Sequence, residues 1–537
     1  MVYTLQQCDI VGLVDVYTPD ITGEVDHETY ATDLKTGTEV TNQFGFADSG
    51  CTYLSRQDWI GTFPTHDGEV SDTVSTWGNE INGSDGVPCV YTKAISEEDL
   101  AKLQGFDSLS PVESASLTDT PVYGQKNGVL LCDVRGLDYD DPLWDKLLDQ
   151  LTPENYQALV SASGYGTIPI ERIGKSTAID QDAATGLTSG GTGVSYCGVI
   201  VLAQTWNVPM AEAYGEIIGN QVLIGGCSGW YAPAMNIHRT PFSGRNNEYY
   251  SEDGFLSGSA AAATSRGAAS KGLYTFIKHF VLNDQENHRG DRYGQMSIAT
   301  WANEQSIREI YLLPFQMCVQ NEPITLNYLK EQSDGAYVNT SREFPAVTAL
   351  MTSFNRLGYT WAGGCYPLLT EVLRNEWGFN GFVITDNANT ASSTFMNDAQ
   401  MLEAGGDAAL TTTGYVTWKF DEKDPAAYHY SRIAAHNMLY AMANSKLTNG
   451  QMPGSEIVIP ITLAEKIVLA INAVCTVLII LLVFNIFWGF RKWKKQMISK
   501  VEMSEEWFSF RVTTDASQPS LSCWDDSYVA QGGQLIS

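Results

Sequence analysis

The sequence predicts an α/β protein built on a (β/α)₈, TIM-like barrel, with an irregular β-rich N-terminal lead-in and a C-terminal transmembrane helix. Three observations support this fold class. From about residue 128, short apolar runs alternate with helix-sized segments, as in parallel βα units. The alternation continues for about 300 residues, which suits a closed barrel better than a short open sheet. A long uncharged segment then follows near the C-terminus.

Residues 1–115 form the predicted lead-in or linker, or the remnant of an upstream domain. They are rich in Thr, Asp and Gly, carry many turn signals and lack a long amphipathic helix. The first residues have neither the basic start nor the apolar region of a signal peptide. We therefore expect that Met1 is not the start of a normal full-length protein.

Residues 116–448 form the predicted barrel. The apolar runs and helical patterns that predict it are VLLCDV (129–134), DPLWDKLLDQL (141–151), GVIVLAQTW (198–206), YTFIKHF (274–280), SIREIYLLPFQMCV (306–319), AVTALMTSF (346–354), YPLLTEVLRNEWG (366–378), GFVITD (381–386) and MLEAGGDAAL (401–410). In such a barrel the functional side chains lie at the C-terminal ends of the strands. We expect Lys278, His279, Asn355 and Asp386 there.

The C-terminal part is predicted as a linker (449–463), a transmembrane helix (464–490) and a cytoplasmic tail (491–537). Residues 467–490 contain no charged side chain, and this segment is long enough to cross a bilayer. Trp488 and Trp493 flank its end, and Arg491 and Lys492 follow. The positive-inside rule then predicts a single-pass protein of the cell membrane with an extracytoplasmic barrel. A buried core helix is the weaker alternative.

The composition excludes several classes of function. The net charge of −30 disfavours nucleic acid, because a phosphate-binding surface needs clustered Lys and Arg. The 10 cysteines show no CxxC spacing, so we expect neither a zinc site nor a small disulfide scaffold.

Charged side chains at the predicted strand ends and on nearby loops are the candidate site. Asp386 ends an apolar strand, where a carboxylate is costly unless it is used or paired. An N-cap of the next helix explains it about equally well. Lys278 and His279 end another strand, while Arg245 and Asp182 lie on loops. Carboxylates and cationic donors together suit a polyhydroxylated ligand.

Several longer blocks carry a family resemblance. They resemble, in order and spacing, the signature blocks of glycoside hydrolase family 3, and the resemblance covers roughly residues 130–415. The blocks are IGKSTAIDQDAATGL (173–187), YAPAMNIHRTPFSGRNNEYYSED (231–253), KHFVLNDQENHR (278–289) and MTSFNRLGYTWAGGCYPLLTEVLRNEWGFNGFVITD (351–386).

The resemblance implies a retaining, β-glucosidase-like glycosidase of carbohydrate metabolism that cleaves O-glycosidic bonds in β-linked glucosides or oligosaccharides. Asp386 would be the nucleophile and form a glycosyl-enzyme, while a second carboxyl would act as acid and base. No metal or organic cofactor is implied.

The resemblance also implies the substrate contacts. Lys278 and His279 would grip hydroxyls of the sugar beside the cleaved bond. Arg245 and Arg289 match the arginines of the family, and Asp182 matches an aspartate that accepts bonds from a distal hydroxyl.

Three departures from the family pattern concern this site. Asn387 replaces the usual Trp after the nucleophile, so a stacking wall is missing. Phe354, at a substrate-contacting position, replaces a Tyr and lacks the hydroxyl that would orient the nucleophile. Asp182 is followed by alanines in place of Gly-Pro.

The acid/base is expected outside this chain. Members with reversed domain order carry a sandwich domain before the barrel, and we expect most of that domain to lie upstream or in a separate protein. A less favoured alternative takes the acid from Glu248, Glu252, Asp253, Asp284 or Glu286. If no acid is available, the alternative function is a non-catalytic sugar-binding membrane protein that kept the pocket.

Overall fold

The computed structural model divides the chain into two units, Met1–Ile457 and Val458–Ser537. The first unit contains the main sheet and the candidate site, and the second contains one long helix. The residues that the structure describes are 32–48, 69–70, 91–92, 96–182, 184–186, 194–239, 243–286, 298–388, 393–412, 418–449, 451, 463–499, 501–503 and 510–512.

The strands are numbered in chain order: β1 (Glu69–Val70), β2 (Tyr91–Thr92), β3 (Gly166–Thr167), β4 (Ala178–Asp182), β5 (Gly229–Tyr231), β6 (Tyr274–Phe280), β7 (Ala299–Thr300), β8 (Ile324–Glu331), β9 (Tyr337–Phe344), β10 (Ala349–Thr352), β11 (Arg356–Leu357), β12 (Thr360–Trp361), β13 (Phe382–Ala388), β14 (Ala408–Thr411), β15 (Val501–Met503) and β16 (Phe510–Val512).

The α-helices are α1 (Glu97–Gln104), α2 (Leu143–Leu148), α3 (Pro153–Ser161), α4 (Val199–Gln204), α5 (Val208–Ile224), α6 (Gly254–Ala269), α7 (Glu304–Ser306), α8 (Leu313–Val319), α9 (Asp398–Ala404), α10 (Pro425–Ala443) and α11 (Leu463–Ser499). Ile307–Leu312 and Pro367–Glu376 are π-helical. Both lie where the sequence predicts helix.

The main sheet has the strand order β14-β13-β10-β6-β5-β4-β3. Its neighbours from β4 to β14 are parallel, and β3 is antiparallel to β4. Every residue of β6 and β10 is buried. This burial on both faces explains why these strands read as continuous apolar runs.

The core lies on both faces of this sheet. Ile277, Leu350 and Val383 belong to one hydrophobic cluster. Their chain neighbours Phe276 and Met351 belong to another. Successive side chains of a strand point to opposite faces, so β6, β10 and β13 stitch the two clusters together.

The sheet curves until its edges approach each other. A Cβ added to Gly164, just before β3, would lie 2.1 Å from the carbonyl oxygen of Thr411 at the end of β14. The predicted parallel βα architecture is therefore confirmed. The eight-stranded closure is not: the ladder in the described part of the chain has seven strands, of which six run parallel.

Two apolar runs do not form the strands that they predict. Residues 129–134 are irregular backbone and turn, and Val199–Gln204 forms α4. Leu131 and Val134 are nevertheless fully buried. A short apolar run records burial, and burial alone does not distinguish a strand from a helix or a packed turn.

The second unit contains α11. Glu465–Lys495 is long and apolar enough to cross a membrane by length and composition. Of the predicted lead-in, the structure describes α1, short strands and connecting segments; most of the predicted linker 449–463 lies outside the described residues.

Candidate active site

The strand ends that carry the candidate site are irregular. Thr352 of β10 pairs with Phe280, so Lys278 and His279 together face the single residue Met351. On the other side, Thr385 and Asp386 together face Ala409 of β14. An extra residue in one strand re-aims its side chains, which is why bulges recur beside active sites. Three of the predicted site residues therefore lie in bulges.

Asp386 lies within β13, near its C-terminal end. Its Oδ1 accepts the backbone N–H of Asn387 at 2.7 Å, and its side chain is 14% exposed. Its Oδ2 lies 3.6 Å from Nε2 of His279. The alternative role of a helix N-cap does not hold for α9, the next described helix, because Asn397 caps that helix.

His279 is buried, and Arg245, Tyr249 and Asn236 contact it. Nη2 of Arg245 lies 2.8 Å from Nε2 of His279, and the Tyr249 hydroxyl lies 3.4 Å from Nδ1. A guanidinium only donates, so Nε2 must accept and the ring proton belongs on Nδ1. Asn236 exchanges two hydrogen bonds of 2.8 Å with the backbone of His279. His279 is thus held as a neutral ring beside Asp386.

Arg245 is the cation next to this ring. It forms an ion pair with Glu248, and its Nε lies 3.9 Å from Oε1 of Glu286. Asn283 donates to the same Glu286 oxygen at 3.4 Å. Arg245 therefore links the carboxylates of Glu248 and Glu286 to Nε2 of His279. The same nitrogen is the ring atom nearest to Asp386.

Lys278 points to a different partner. Its buried Nζ donates to Oδ1 of Asp182 at 2.7 Å. Asp182 is the last residue of β4, and its side chain is partly exposed. The pair joins the ends of two strands and offers a donor and an acceptor side by side.

A cavity of about 410 Å³ opens beside Asp386 and is lined by Gly244, Arg245, Glu286, Phe354, Asp386 and Asn387. Phe354 and Asn387, the residues at two of the three departures from the family pattern, thus both line it. Oδ1 of Asn387 accepts from the Thr412 hydroxyl at 2.9 Å, so the amide nitrogen is its remaining polar end.

Tyr165 is an exposed side chain within electrostatic range of the candidate site that the sequence did not predict. Burial raises the pKa of its hydroxyl, and the negative charges of Asp182 and Asp386 raise it further. It therefore lies near both carboxylates while remaining 43% exposed. Its backbone has a φ of 55°, which is uncommon for a residue with a side chain. No sequence pattern predicts this conformation.

The structure brings together Asp386, His279, Arg245 and Phe354, and it joins Lys278 to Asp182. Arg289 lies outside the described residues. Asn355 is buried beneath the site, where its Nδ2 donates to the carbonyl of Val281 at 3.0 Å. Within the described ranges, no group of three or more His, Cys, Asp or Glu side chains could hold a metal ion.

The chain is similar to known proteins over part of its length. Residues 156–326 match the model of the glycosyl hydrolase family 3 N-terminal domain. A β-glucosidase of Rhizobium radiobacter is 34% identical over 273 residues, which are 50% of this chain and 29% of that protein. A β-glucosidase of Ruminococcus albus is 26% identical over 404 residues, 71% of this chain and 36% of that protein.

Among solved structures, β-glucosidase 3B of Thermotoga neapolitana in complex with α-D-glucose matches 57% of this chain and 43% of its own, with 27% identity and a TM-score of 0.45. The chain spans about a third of the length of the two curated relatives above. The family match covers β3 to the start of β8, and with it Asp182, Arg245, Lys278 and His279. The chain is therefore similar to β-glucosidases, and its residues 156–326 resemble the glycosyl hydrolase family 3 N-terminal domain.

Proposed function

We propose that the chain hydrolyses β-glucosidic bonds with retention of configuration, through a glycosyl-enzyme on Asp386. The observation that carries the proposal is the position of Asp386. It lies in a bulge at the C-terminal end of a parallel strand and lines a cavity together with a cationic donor, Arg245. Catalytic groups of such α/β folds are concentrated at that end of the sheet. The similarity to β-glucosidases supplies the reaction class.

The Asn387 N–H prepares Asp386 for attack by holding Oδ1, which leaves Oδ2 toward the ring of His279. In the proposed step, an oxygen of Asp386 bonds to the anomeric carbon while the bond to the leaving group breaks. The second carboxyl gives a proton to the leaving group and then takes one back from a water molecule. That water attacks the same carbon, and the bond to Asp386 breaks, which releases the sugar and the free carboxylate.

The substrate contacts follow from the charges. Lys278 and Asp182 place a donor and an acceptor where a sugar hydroxyl can bond to both. Arg245 offers further donors inside the cavity. Tyr165 exposes an aromatic face near both carboxylates, which can take the stacking role that Asn387 cannot fill. Arg289 stays a prediction from the sequence.

The second carboxyl of the reaction is assigned to a domain outside this chain. Glu286 lines the same cavity, but Arg245 and Asn283 already engage its carboxylate. A proton donor must reach the leaving group, and these two contacts instead turn the Glu286 carboxylate toward Arg245 and Asn283. Glu286 is therefore proposed to position Arg245.

An activated 2-deoxy-2-fluoro-β-glucoside tests the nucleophile. Its good leaving group departs without an acid, so we expect covalent labelling of a peptide that contains Asp386, detected by mass spectrometry. Asp386→Asn should abolish labelling. The control Asp334→Asn, which changes an exposed aspartate on the β8–β9 turn, should label as the wild type does.

Two results would contradict the proposal. A label on Glu286 would show that Glu286, and not Asp386, is the nucleophile. No label, combined with glucose binding that Lys278→Ala weakens, would favour the alternative of a non-catalytic sugar-binding protein.

The membrane part of the proposal rests on α11. We infer that residues 464–490 anchor the chain with the barrel outside and the tail inside, because Arg491, Lys492, Lys494 and Lys495 follow the apolar segment. The chain should resist alkaline extraction from membranes, and deletion of residues 464–490 should release it. Protease digestion of intact cells should remove the barrel; protection of the barrel would reverse the orientation.

A further inference from the structure

The outer face of α5 carries an apolar stripe that the proposed function does not use. Met210, Ile217 and Ile224 lie on this face, and each is 45% exposed or more. Trp206, two residues before the helix begins, is exposed to a similar degree. Large apolar side chains aligned on one exposed helix face are unusual in a chain of net charge −30, and such patches mark interaction surfaces.

The inner face of α5 is already committed to the fold. Gly215 lies against α6, where a Cβ would come within 2.0 Å of the carbonyl oxygen of Thr264. Ala211, Ile218 and Val222 are buried on the same side. At 100° per residue, the stripe lies roughly opposite this packed face, so it has no role in the core.

The stripe has the spacing of a helix-pairing seam. Met210, Ala213, Ile217, Asn220 and Ile224 follow one another at intervals of three, four, three and four residues, and all are exposed. This is the spacing that packs one helix along another. A single Asn within an otherwise apolar seam is a known device for fixing the register and the number of helices.

The seam is also complementary to itself. If two copies of α5 pair antiparallel about a two-fold axis at Ile217, the two Ile217 side chains meet on the axis. Met210 of each copy then faces Ile224 of the other, and the small Ala213 lies beside the polar Asn220. A two-fold interface requires that one surface match itself in this way.

The charges that flank the seam are neutralised within each copy. Glu212 pairs with Arg266 at 2.6 Å, and Glu216 lies 3.7 Å from Lys271. Two strongly acidic chains would otherwise repel each other along this line. The ion pairs therefore allow one copy to approach another.

The exposed apolar area on this face limits the affinity that a dimer can have. Leu223 is also exposed on α5, and with Met210, Ile217, Ile224 and Trp206 it contributes to an area of about 500 Å² per copy, at roughly 100 Å² for each side chain. A standard stable interface buries about 800 Å² per partner. We propose that this face pairs two copies of the chain as a weak, antiparallel α5–α5 dimer.

Sedimentation equilibrium of the full chain in detergent tests the proposal. We expect a reversible monomer–dimer equilibrium with a dissociation constant of roughly micromolar order. Ile217→Glu places two carboxylates on the two-fold axis and should weaken the dimer by at least about 100-fold. Ile224→Glu, at a side chain that is 83% exposed, should do the same without disturbing the fold.

The matched control is Ile433→Glu, which changes an exposed isoleucine on α10. It should dimerise like the wild type, and thermal unfolding of all three variants should match the wild type. A chain that is monomeric up to about 100 μM overturns the proposal. So does a dimer that survives both Ile217→Glu and Ile224→Glu, or one that Ile433→Glu also dissociates.

Discussion

Asp386 and Asp407 lie on adjacent strands of the same sheet, at opposite ends. Asp386 is near the C-terminal end of β13, where it lines the cavity. Asp407 directly precedes β14 and is 1% exposed. It accepts from the Val383 N–H at 2.6 Å, from Arg374 at 3.0 Å and from Asn437 at 2.8 Å. Burial raises the pKa of Asp407 to about 6, against the opposing charge of Arg374.

The difference separates a carboxylate that holds the fold from one that we propose acts in catalysis. Asp407 ties β13, β14, α10 and the π-helix Pro367–Glu376 together with three donors, and its environment has no room for a substrate. Asp386 is held by the Asn387 N–H and faces a cavity. This is the expected division between the two ends of a parallel sheet: stability at the N-terminal end and function at the C-terminal end.

The largest expected effect is the loss of catalysis when Asp386 is replaced. Asp386→Asn should lower kcat/KM on an aryl β-glucoside by roughly 10⁴-fold or more, as loss of a nucleophile does in other hydrolases. Its melting temperature should stay within a few degrees of the wild type, because the site end adds little to stability. Steady-state kinetics and calorimetry measure both. Retained activity would remove Asp386 from the nucleophile role.

The reverse pattern is expected at Asp407. Asp407→Ala leaves the largely buried Arg374 without its carboxylate and should cost about 3 kcal/mol of unfolding free energy. The protein that remains folded should keep its kcat, since Asp407 lies far along the strand from the cavity. Urea unfolding monitored by tryptophan fluorescence gives the stability. A variant with normal stability and low kcat would erase the contrast between the two ends.

Asp284 tests whether burial alone makes a carboxylate structural. Burial raises its pKa to about 7, and its Oδ1 accepts the Ile237 N–H at 2.7 Å. An exposed aspartate titrates near 4. The folded state therefore binds this proton more tightly, and stability from this group is complete below about pH 4 and is lost as the pH rises through 7.

Asp284→Asn keeps an oxygen for Ile237 but removes the charge. We expect the variant to be more stable than the wild type by about 2 kcal/mol at pH 8 and equally stable at pH 4. Urea unfolding at both values measures the difference. A gain that does not depend on pH would show that Asp284 acts through packing instead.

The sequence predicted the parts of this comparison unevenly. Asp386 is predicted as a site residue because a carboxylate ends an apolar run, which is visible in GFVITD, and its catalytic role stays a prediction. The contact between Lys278 and Asp182 spans 96 residues, and only the sheet order brings them together. Tyr165 left no signal, because its place depends on a backbone conformation. Resemblance to a family could name the residues, but only the fold shows which ones touch.

The fold was predictable where period and length agreed. The runs at 274–280 and 381–386 formed β6 and β13, while 198–206 formed mostly helix. The β8–β9 hairpin was missed altogether. Its signal was Asp334-Gly335 between two segments with β-type residues, a dipeptide typical of tight hairpin turns. The hairpin interrupts the βα alternation, so that alternation does not predict it.

The smallest expected effect is a change in the rate of labelling at Asp386 when Phe354 is replaced. Phe354 lines the cavity with Asp386 but has no hydroxyl. Phe354→Tyr supplies one, and a hydrogen bond to the carboxylate should hold it in the attacking orientation. We expect labelling by the 2-fluoro glucoside to become about 2- to 10-fold faster. Phe354→Leu, which adds no hydroxyl, should not gain. Equal rates for Phe354→Tyr and the wild type would mean that the Asn387 N–H already fixes Asp386, and that the missing hydroxyl costs the site nothing.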